Sequence, residues 1–231
     1  MKIIKLGGKT HSGRIYLQDA DFIYKNQLIK VKPTDRLDIE NLKSRHLARY
    51  HFAKSFIRPF NRILDFPCGS GYGSEILQDH MTLYDGLDSD EIVVQYAKEV
   101  YSTIGKSFHV KDLTKPRLRN NYYDIIACIE GIEHIPIKYH IKLIKAFYRA
   151  LRKNGTLIIT TPETNNYGQS KVNKYHKGEI PYSYFLFYLQ QTFGKSNIEI
   201  VTQKDIIHTG EKVNILYGVC HKNEKNIEEN N

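Results

Sequence analysis

Three aspartates close three short apolar runs: Asp65 after residues 62–64, Asp88 after 83–87 and Asp112 after 107–111. Directly behind the first comes a glycine-rich turn, Phe66-Pro67-Cys68-Gly69-Ser70-Gly71-Tyr72-Gly73, and then a helical pattern over 74–78. A strand, a glycine turn and a helix start bring backbone N–H groups toward a small ligand, and glycines let the backbone approach it closely. A carboxylate at Asp65 would repel a pyrophosphate and suits a cation, which favours a ligand with an amino group over a plain dinucleotide. Asp88 lies about 20 residues beyond the turn, the distance at which an acid accepts from a ribose diol. Asp112 would then reach an adenine amino group. Each aspartate alone reads equally as a cap or turn residue. The ordered series, together with the turn, points to one crevice at the carboxyl ends of parallel strands.

A second constellation follows the fourth apolar run. Glu130-Gly131-Ile132-Glu133-His134 puts two carboxylates and an imidazole within five residues, and His176 stands downstream. Glu130, Glu133, His134 and His176 together make a candidate site for a divalent metal ion. His134 or His176 also reads as a general base, because an imidazole titrates near working pH.

These groups need a scaffold. Strand patterns fall at 62–66, 83–87, 107–111, 123–129 and 156–160, and helical patterns at 74–78, 90–101 and 139–151. Continuous apolar runs such as Ile125-Ile126-Ala127-Cys128-Ile129 suit a sheet buried on both faces, and the alternation implies βαβ units. Gly155, after Lys153-Asn154, reads as a helix stop. Before this core, residues 36–58 look helical and end at Pro59, and residues 1–35, with Gly7-Gly8, Gly13 and Pro33, read as a small cover of strands or loops. After Pro162 comes a polar stretch, an aromatic-rich helix over 181–193, and closing strands over 198–201 and 213–219. The chain divides as a cover segment (1–35), a catalytic-type domain (36–221) and a charged tail (222–231) expected to be disordered.

The 231 residues suffice for one α/β domain; 26% are charged and 41% hydrophobic. No apolar run has the length to span a bilayer, and the first residues lack a secretory h-region. Three scattered cysteines, Cys68, Cys128 and Cys220, read as reduced thiols in a cytoplasmic protein. The net charge of +9 admits an anionic partner, but the basic residues are dispersed and form no block, so nucleic acid is not the favoured partner. Nothing in the sequence sets the oligomeric state.

The motifs as a set resemble class I S-adenosylmethionine-dependent methyltransferases. The resemblance runs through residues 63–73, Gly86-Leu-Asp-Ser-Asp90, Lys111-Asp-Leu113, residues 123–135 and residues 151–162. It implies a Rossmann-like sheet of seven mostly parallel strands with helices on both faces and the last strand antiparallel. The implied cofactor is S-adenosylmethionine, touched by Asp65, Pro67, Cys68, Gly69, Gly71, Tyr72, Asp88, Ser89, Asp112, Leu113 and Glu130. Pro67 departs from the family, which usually has glycine there. Arg49-Tyr50 resembles a segment that closes over the methionine end; it reads equally as a surface arginine beside a core tyrosine. The E-x-x-E-H cluster with its later histidine resembles branches that methylate RNA 3′ ends or a catechol-like oxygen in ubiquinone synthesis. Residues 173–185 are similar to small-molecule methyltransferases of glycan and lipid pathways. The aromatic run Tyr182, Tyr184, Phe185, Phe187 and Tyr188 is a candidate acceptor wall or a helix face, and Lys30, Lys32 and Arg36 of the cover are candidates to hold an anionic acceptor. The expected reaction is methyl transfer to oxygen, less readily nitrogen, of a small metabolite, with a sugar or glycan precursor first. Alternatives are an RNA acceptor and an inactive cofactor-binding partner subunit.

Overall fold

The computed structural model describes residues 2–6, 14–32, 39–79, 82–206 and 212–223. Gly7, Gly8, Gly13, Pro33, Arg36 and the tail from residue 224 lie outside the described residues. The first described elements, β1 (Ile3–Leu6), β2 (Ala20–Tyr24) and β3 (Gln27–Val31), form a small sheet in the order β1-β3-β2. Helix α1 (Ile39–Lys54) follows. The main sheet then alternates strand and helix: β4 (Arg62–Asp65), α2 (Ser74–Leu77), β5 (Leu83–Asp88), α3 (Glu91–Tyr101), β6 (Lys106–Val110), β7 (Tyr123–Cys128), α4 (His140–Ala150) and β8 (Leu151–Pro162). It ends with α5 (Tyr182–Phe193), β9 (Ile198–Ile206) and β10 (Lys212–His221).

The seven strands run β6-β5-β4-β7-β8-β10-β9. All neighbouring pairs up to β8 are parallel, and β10, the last strand, is antiparallel to both β8 and β9. It is not an edge strand, because β10 inserts between its neighbours. The expected architecture is therefore present.

Successive strand residues point to opposite faces, so the central strands feed two separate cores. Ile63, Ile125, Ala127 and Ile158 pack on the side of α1, α3 and the cover, with Tyr16 and Tyr96. Leu64, Ile126, Cys128, Leu157 and Ile159 pack on the side of α4 and α5, with Phe147, Phe185 and Leu189. Burial on both faces is why these strands read as unbroken apolar runs. Cys68, Cys128 and Cys220 are buried free thiols. Among the described residues no helix is long and apolar enough to cross a membrane.

Two local expectations need correction. Helix α4 stops at Ala150, not at Gly155, and β8 begins at once with Leu151. The left-handed residue there is Asn154, at φ 62°. Gly155 instead serves a close approach, since a Cβ on it would stand 3.0 Å from the Arg152 carbonyl. Second, the N–H groups at the start of α2 do not point outward. Ser74, Glu75, Ile76 and Leu77 all donate to carbonyls of Gly71, Tyr72 and Gly73 within the turn. A four-residue helix has no turn to spare for a ligand.

Candidate active site

The carboxyl ends of β4, β5 and β7 surround a cavity of about 290 Å³. Its floor is the glycine turn. Phe66–Pro67 is a cis peptide, and Pro67 rests against Gly131, where a Cβ would come within 2.2 Å of its ring. Gly69 and Gly71 have φ of +55° and +87°, a region that disfavours side-chain-bearing residues. A Cβ on Gly71 would stand 2.8 Å from that of Ala97, so the turn is held tightly against α3. Pro67, Cys68, Gly69, Tyr72, Ser89 and Asp112 line the cavity, as do Leu113, Glu130 and His134.

The three aspartates differ in setting. Asp65 is wholly buried, and Tyr84 Oη donates to its Oδ2 at 2.8 Å. Burial raises its pKa to about 8, with the hydroxyls of Tyr84 and Tyr50 pulling the other way. Asp88 is also wholly buried. Its Oδ2 accepts from Gly69 N at 3.0 Å, and its Oδ1 accepts from Asp90 N at 3.1 Å and from Arg14 Nη2 at 2.6 Å. Burial raises the Asp88 pKa, while Arg14 and the two amides oppose that rise. Asp112 is exposed, and its Oδ1 accepts from both the amide and the hydroxyl of Thr114 at 2.8 Å. It is thus a turn residue and a cavity residue at once.

Arg14 is a site residue that sequence reading missed. The segment carrying it crosses the glycine turn. Ser70 Oγ donates to the Ile15 carbonyl, Tyr96 Oη donates to the Gln18 carbonyl at 2.7 Å, and Tyr16 stacks edge-on against Tyr96. No local signal tied Arg14 to an aspartate 74 residues away. Lys30 and Lys32 of the cover bond instead to Asp21 and Asp19. Arg49 is not a surface residue: it is 2% exposed, with Nε 3.6 Å from Glu130 Oε1. Tyr50 lines the cavity beside Tyr72.

The second constellation separates into two parts. Glu130 has φ 49°; its amide donates to Thr160 Oγ1 and that hydroxyl donates back to Glu130 Oε1. Glu133, His134 and His176 come together, with one ligand atom from each lying within 4.8 Å of the others. Glu133 is 1% exposed; Thr161 Oγ1 donates to its Oε2 at 3.2 Å, and its Oε1 is buried without a hydrogen-bond partner. Burial and the nearby Glu130 raise the Glu133 pKa. His134 Nδ1 lies 3.1 Å from the Tyr175 carbonyl. A carbonyl only accepts, so Nδ1 carries the proton and Nε2 is left with its lone pair. His176 Nδ1 donates to Glu179 Oε1 at 2.7 Å.

The loop that brings His176 to this place is pinned at several points. Gly168 and Glu179 exchange amide–carbonyl hydrogen bonds, Ser170 N donates to the His176 carbonyl, and Gly178 N donates to the Glu133 carbonyl. Gly178 admits no side chain, because a Cβ would lie 2.1 Å from the Ile135 carbonyl. The same loop adds Tyr175 and Lys177 to the cavity wall. The aromatic run divides, with Phe185 in the core and Tyr182, Tyr184 and Phe187 exposed.

Comparison with known proteins agrees with this fold. The family model of the methyltransferase domain matches residues 39–202. A ubiquinone biosynthesis O-methyltransferase of Haemophilus ducreyi is 26% identical over 107 residues, which are 43% of this chain and 44% of that protein. One from Coxiella burnetii is 31% identical over 108 residues, 45% of this chain and 44% of that protein. The match thus spans less than half the length of these curated relatives. A SAM-dependent methyltransferase structure from Methanosarcina mazei has the same fold, with a TM-score of 0.58 at 17% identity, covering 74% of this chain and 97% of that one. With the family model spanning most of the chain and the sheet order in place, the protein belongs to the class I S-adenosylmethionine-dependent methyltransferases.

Proposed function

We propose that this chain transfers the methyl group of S-adenosylmethionine to a hydroxyl oxygen of a small acceptor that carries a second oxygen beside the first. The observation that carries this reading is the meeting of Glu133, His134 and His176, with His134 facing the cavity that the glycine turn lines. On the cofactor side, Asp65 receives the methionine ammonium, Asp88 the ribose diol, and Asp112 with Leu113 frames the adenine. Pro67, Cys68, Gly69, Gly71, Tyr72, Ser89 and Glu130 complete that surround. For the diol to reach Asp88 Oδ1, Arg14 must yield its place.

A divalent metal ion fits the acceptor side. The Nδ1 atoms of both histidines are bound to oxygen acceptors, which fixes the rings and turns each Nε2 lone pair outward. Glu133 Oε1 is a buried oxygen with no hydrogen bond of its own. Two imidazoles and a carboxylate suit a divalent first-row ion. Glu133, His134 and His176 would hold it, and Glu130, expected as a fourth ligand, is engaged by Arg49 and Thr160. Bound there, the ion would supply the Lewis acidity that lowers the pKa of an acceptor hydroxyl.

His134 as a general base is the weaker alternative. Burial and the neighbouring His176 lower its pKa to about 4, so it holds a proton poorly at neutral pH. The reaction is an in-line displacement: the acceptor hydroxyl gives up its proton to solvent, its oxygen forms the new C–O bond as the C–S bond breaks, and S-adenosylhomocysteine leaves with its sulfur a neutral thioether. The protein's task is to align the acceptor and exclude water. Two adjacent oxygens describe the sugar-type acceptor expected from the sequence, and the O-methyltransferase names of the curated relatives support oxygen over nitrogen.

The test is titration of the full chain with Mn2+ in the presence of S-adenosylhomocysteine. One binding site is expected, lost in Glu133→Gln and in His176→Ala while S-adenosylhomocysteine affinity is retained. No Mn2+ site in the wild type, or the same site in both variants, would refute the metal assignment.

A further inference from the structure

At the opposite end of the sheet lies a larger cavity of about 470 Å³, which the methyl-transfer reading does not use. It sits where β7 and β8 begin, α4 ends and β10 finishes. Arg149, Arg152, Lys153 and Lys222 line it, with Asn120, Asn121 and Asn223 between them. No carboxylate stands in its described wall.

We propose that this cavity is a binding site for a phosphate or diphosphate group, carried by a small anion and separate from the methyl-transfer pocket.

The walls are prebuilt. Asn121 and Tyr122 donate their amides to the carbonyls of Arg149 and Ala150 at the end of α4. Asn154 N donates to the Lys222 carbonyl, and Lys222 N donates to that of Gly155. Lys222 Nζ is fixed by the Asn121 Oδ1 at 2.8 Å and the Leu151 carbonyl at 2.7 Å. Arg152 reaches both oxygens of Asp124 through Nη1 alone, at 3.3 Å, which leaves the rest of its guanidinium for another partner. Arg149 is exposed and makes no ion pair among the described residues.

Cations in the last turn of a helix offset its dipole, which accounts for Arg149 and for Lys222 at the Leu151 carbonyl. That explanation does not reach the void that these cations share with Asn120, Asn121 and Asn223, nor Arg152, whose guanidinium keeps donors beyond those given to Asp124. Arginine forks and amide donors are the groups that recognise phosphate oxygens. The site offers no open aromatic face for a base: Lys222 covers the Tyr148 ring at 5.0 Å and Phe193 packs edge-on against it at 5.1 Å. That favours a compact phosphate anion over a nucleic-acid strand, which binds by stacking as well as charge.

The experiment is calorimetric titration of the full chain, saturated with S-adenosylhomocysteine, with inorganic phosphate, pyrophosphate and a 12-nucleotide RNA at low salt. Pyrophosphate should bind, and the double variant Arg149→Ala/Lys153→Ala should weaken it by about tenfold or more through loss of charge-assisted contacts. Both residues are exposed, so the variant should fold. Arg149→Lys/Lys153→Arg should keep most of the affinity, and Lys98→Ala on α3 should leave it unchanged. Stronger binding of phosphate than pyrophosphate would narrow the ligand to a monoester and still support the site. No pyrophosphate binding, equal loss in Lys98→Ala, or displacement by S-adenosylhomocysteine would overturn it. RNA binding that is tighter than pyrophosphate and lost in the same double variant would overturn the small-anion assignment in favour of a nucleic-acid strand.

Discussion

Replacing Asp65 with Asn should abolish a proton release that accompanies cofactor binding. Burial holds the Asp65 pKa at about 8 in the ligand-free protein. A carboxyl group with that pKa is about nine-tenths protonated at pH 7. The α-ammonium of the ligand is that of a free amino acid, whose adjacent carboxylate holds its pKa above the peptide-terminus range, so it is fully protonated there. Docking one against the other favours the carboxylate–ammonium pair, because each charge stabilises its partner's ionised form. Two groups that together hold about 1.9 protons before binding then hold about one, so about 0.9 proton leaves per ligand at pH 7. The release shrinks as pH rises through 8, where Asp65 is already ionised. Affinity should therefore fall by almost tenfold per pH unit below pH 7. The assay is calorimetry of S-adenosylhomocysteine binding in buffers of different ionisation enthalpy, whose slope counts protons. In Asp65→Asn the exchange at pH 7 should shrink to near zero, because the ammonium is already protonated before it binds. No release in the wild type, or the same release in the variant, would refute the pairing of Asp65 with the amino group.

Arg14→Ala leaves the buried Asp88 carboxylate without its cation, so the ligand-free Tm should fall, while the rise in Tm on adding S-adenosylhomocysteine should grow, because no ion pair has to be exchanged; an unchanged ligand-induced rise would mean that Arg14 stays on Asp88 in the complex. Gly71→Ala combines a φ of +87° with a Cβ overlap at Ala97, and should cost about 2 kcal/mol or more, a drop in Tm of about 4–8 °C in thermal unfolding. In nitrogen-15 NMR of labelled histidines, His134 should show the Nδ1–H tautomer and stay neutral as pH falls through 6, protonating only near its pKa of about 4; a midpoint near 6.5 would contradict its burial beside His176.

The sheet and the acids at its strand ends were legible because both rest on local patterns. Runs such as residues 125–129 are apolar throughout because β7 serves two cores, and Asp65 and Asp88 sit at strand ends whatever the tertiary packing. The grouping of Glu133 and His134 with His176 was also within reach, since two of the three are adjacent and the third stands in a motif of its own. The partners that tune these groups were not legible. Tyr84 on Asp65, Arg14 on Asp88 and Arg49 beside Glu130 are long-range contacts made by side chains whose types are common and whose spacing carries no signal. The helix stop assigned to Gly155 failed because Asn154 supplies the left-handed turn and a strand had already begun at Leu151. The basic cavity was missed because Arg149, Arg152 and Lys153, though close in sequence, straddle a helix end and a strand start, and Lys222 joins them only when β10 returns beside β8.

The measurement that bears most directly on the central claim is calorimetric titration of the full chain and of Asp88→Ala with S-adenosylhomocysteine. One site per chain is expected in the wild type, with loss of that binding in the variant, if the buried Asp88 at the end of β5 accepts from the ribose hydroxyls as proposed. Absence of binding in the wild type, or equal binding by the variant, would contradict it.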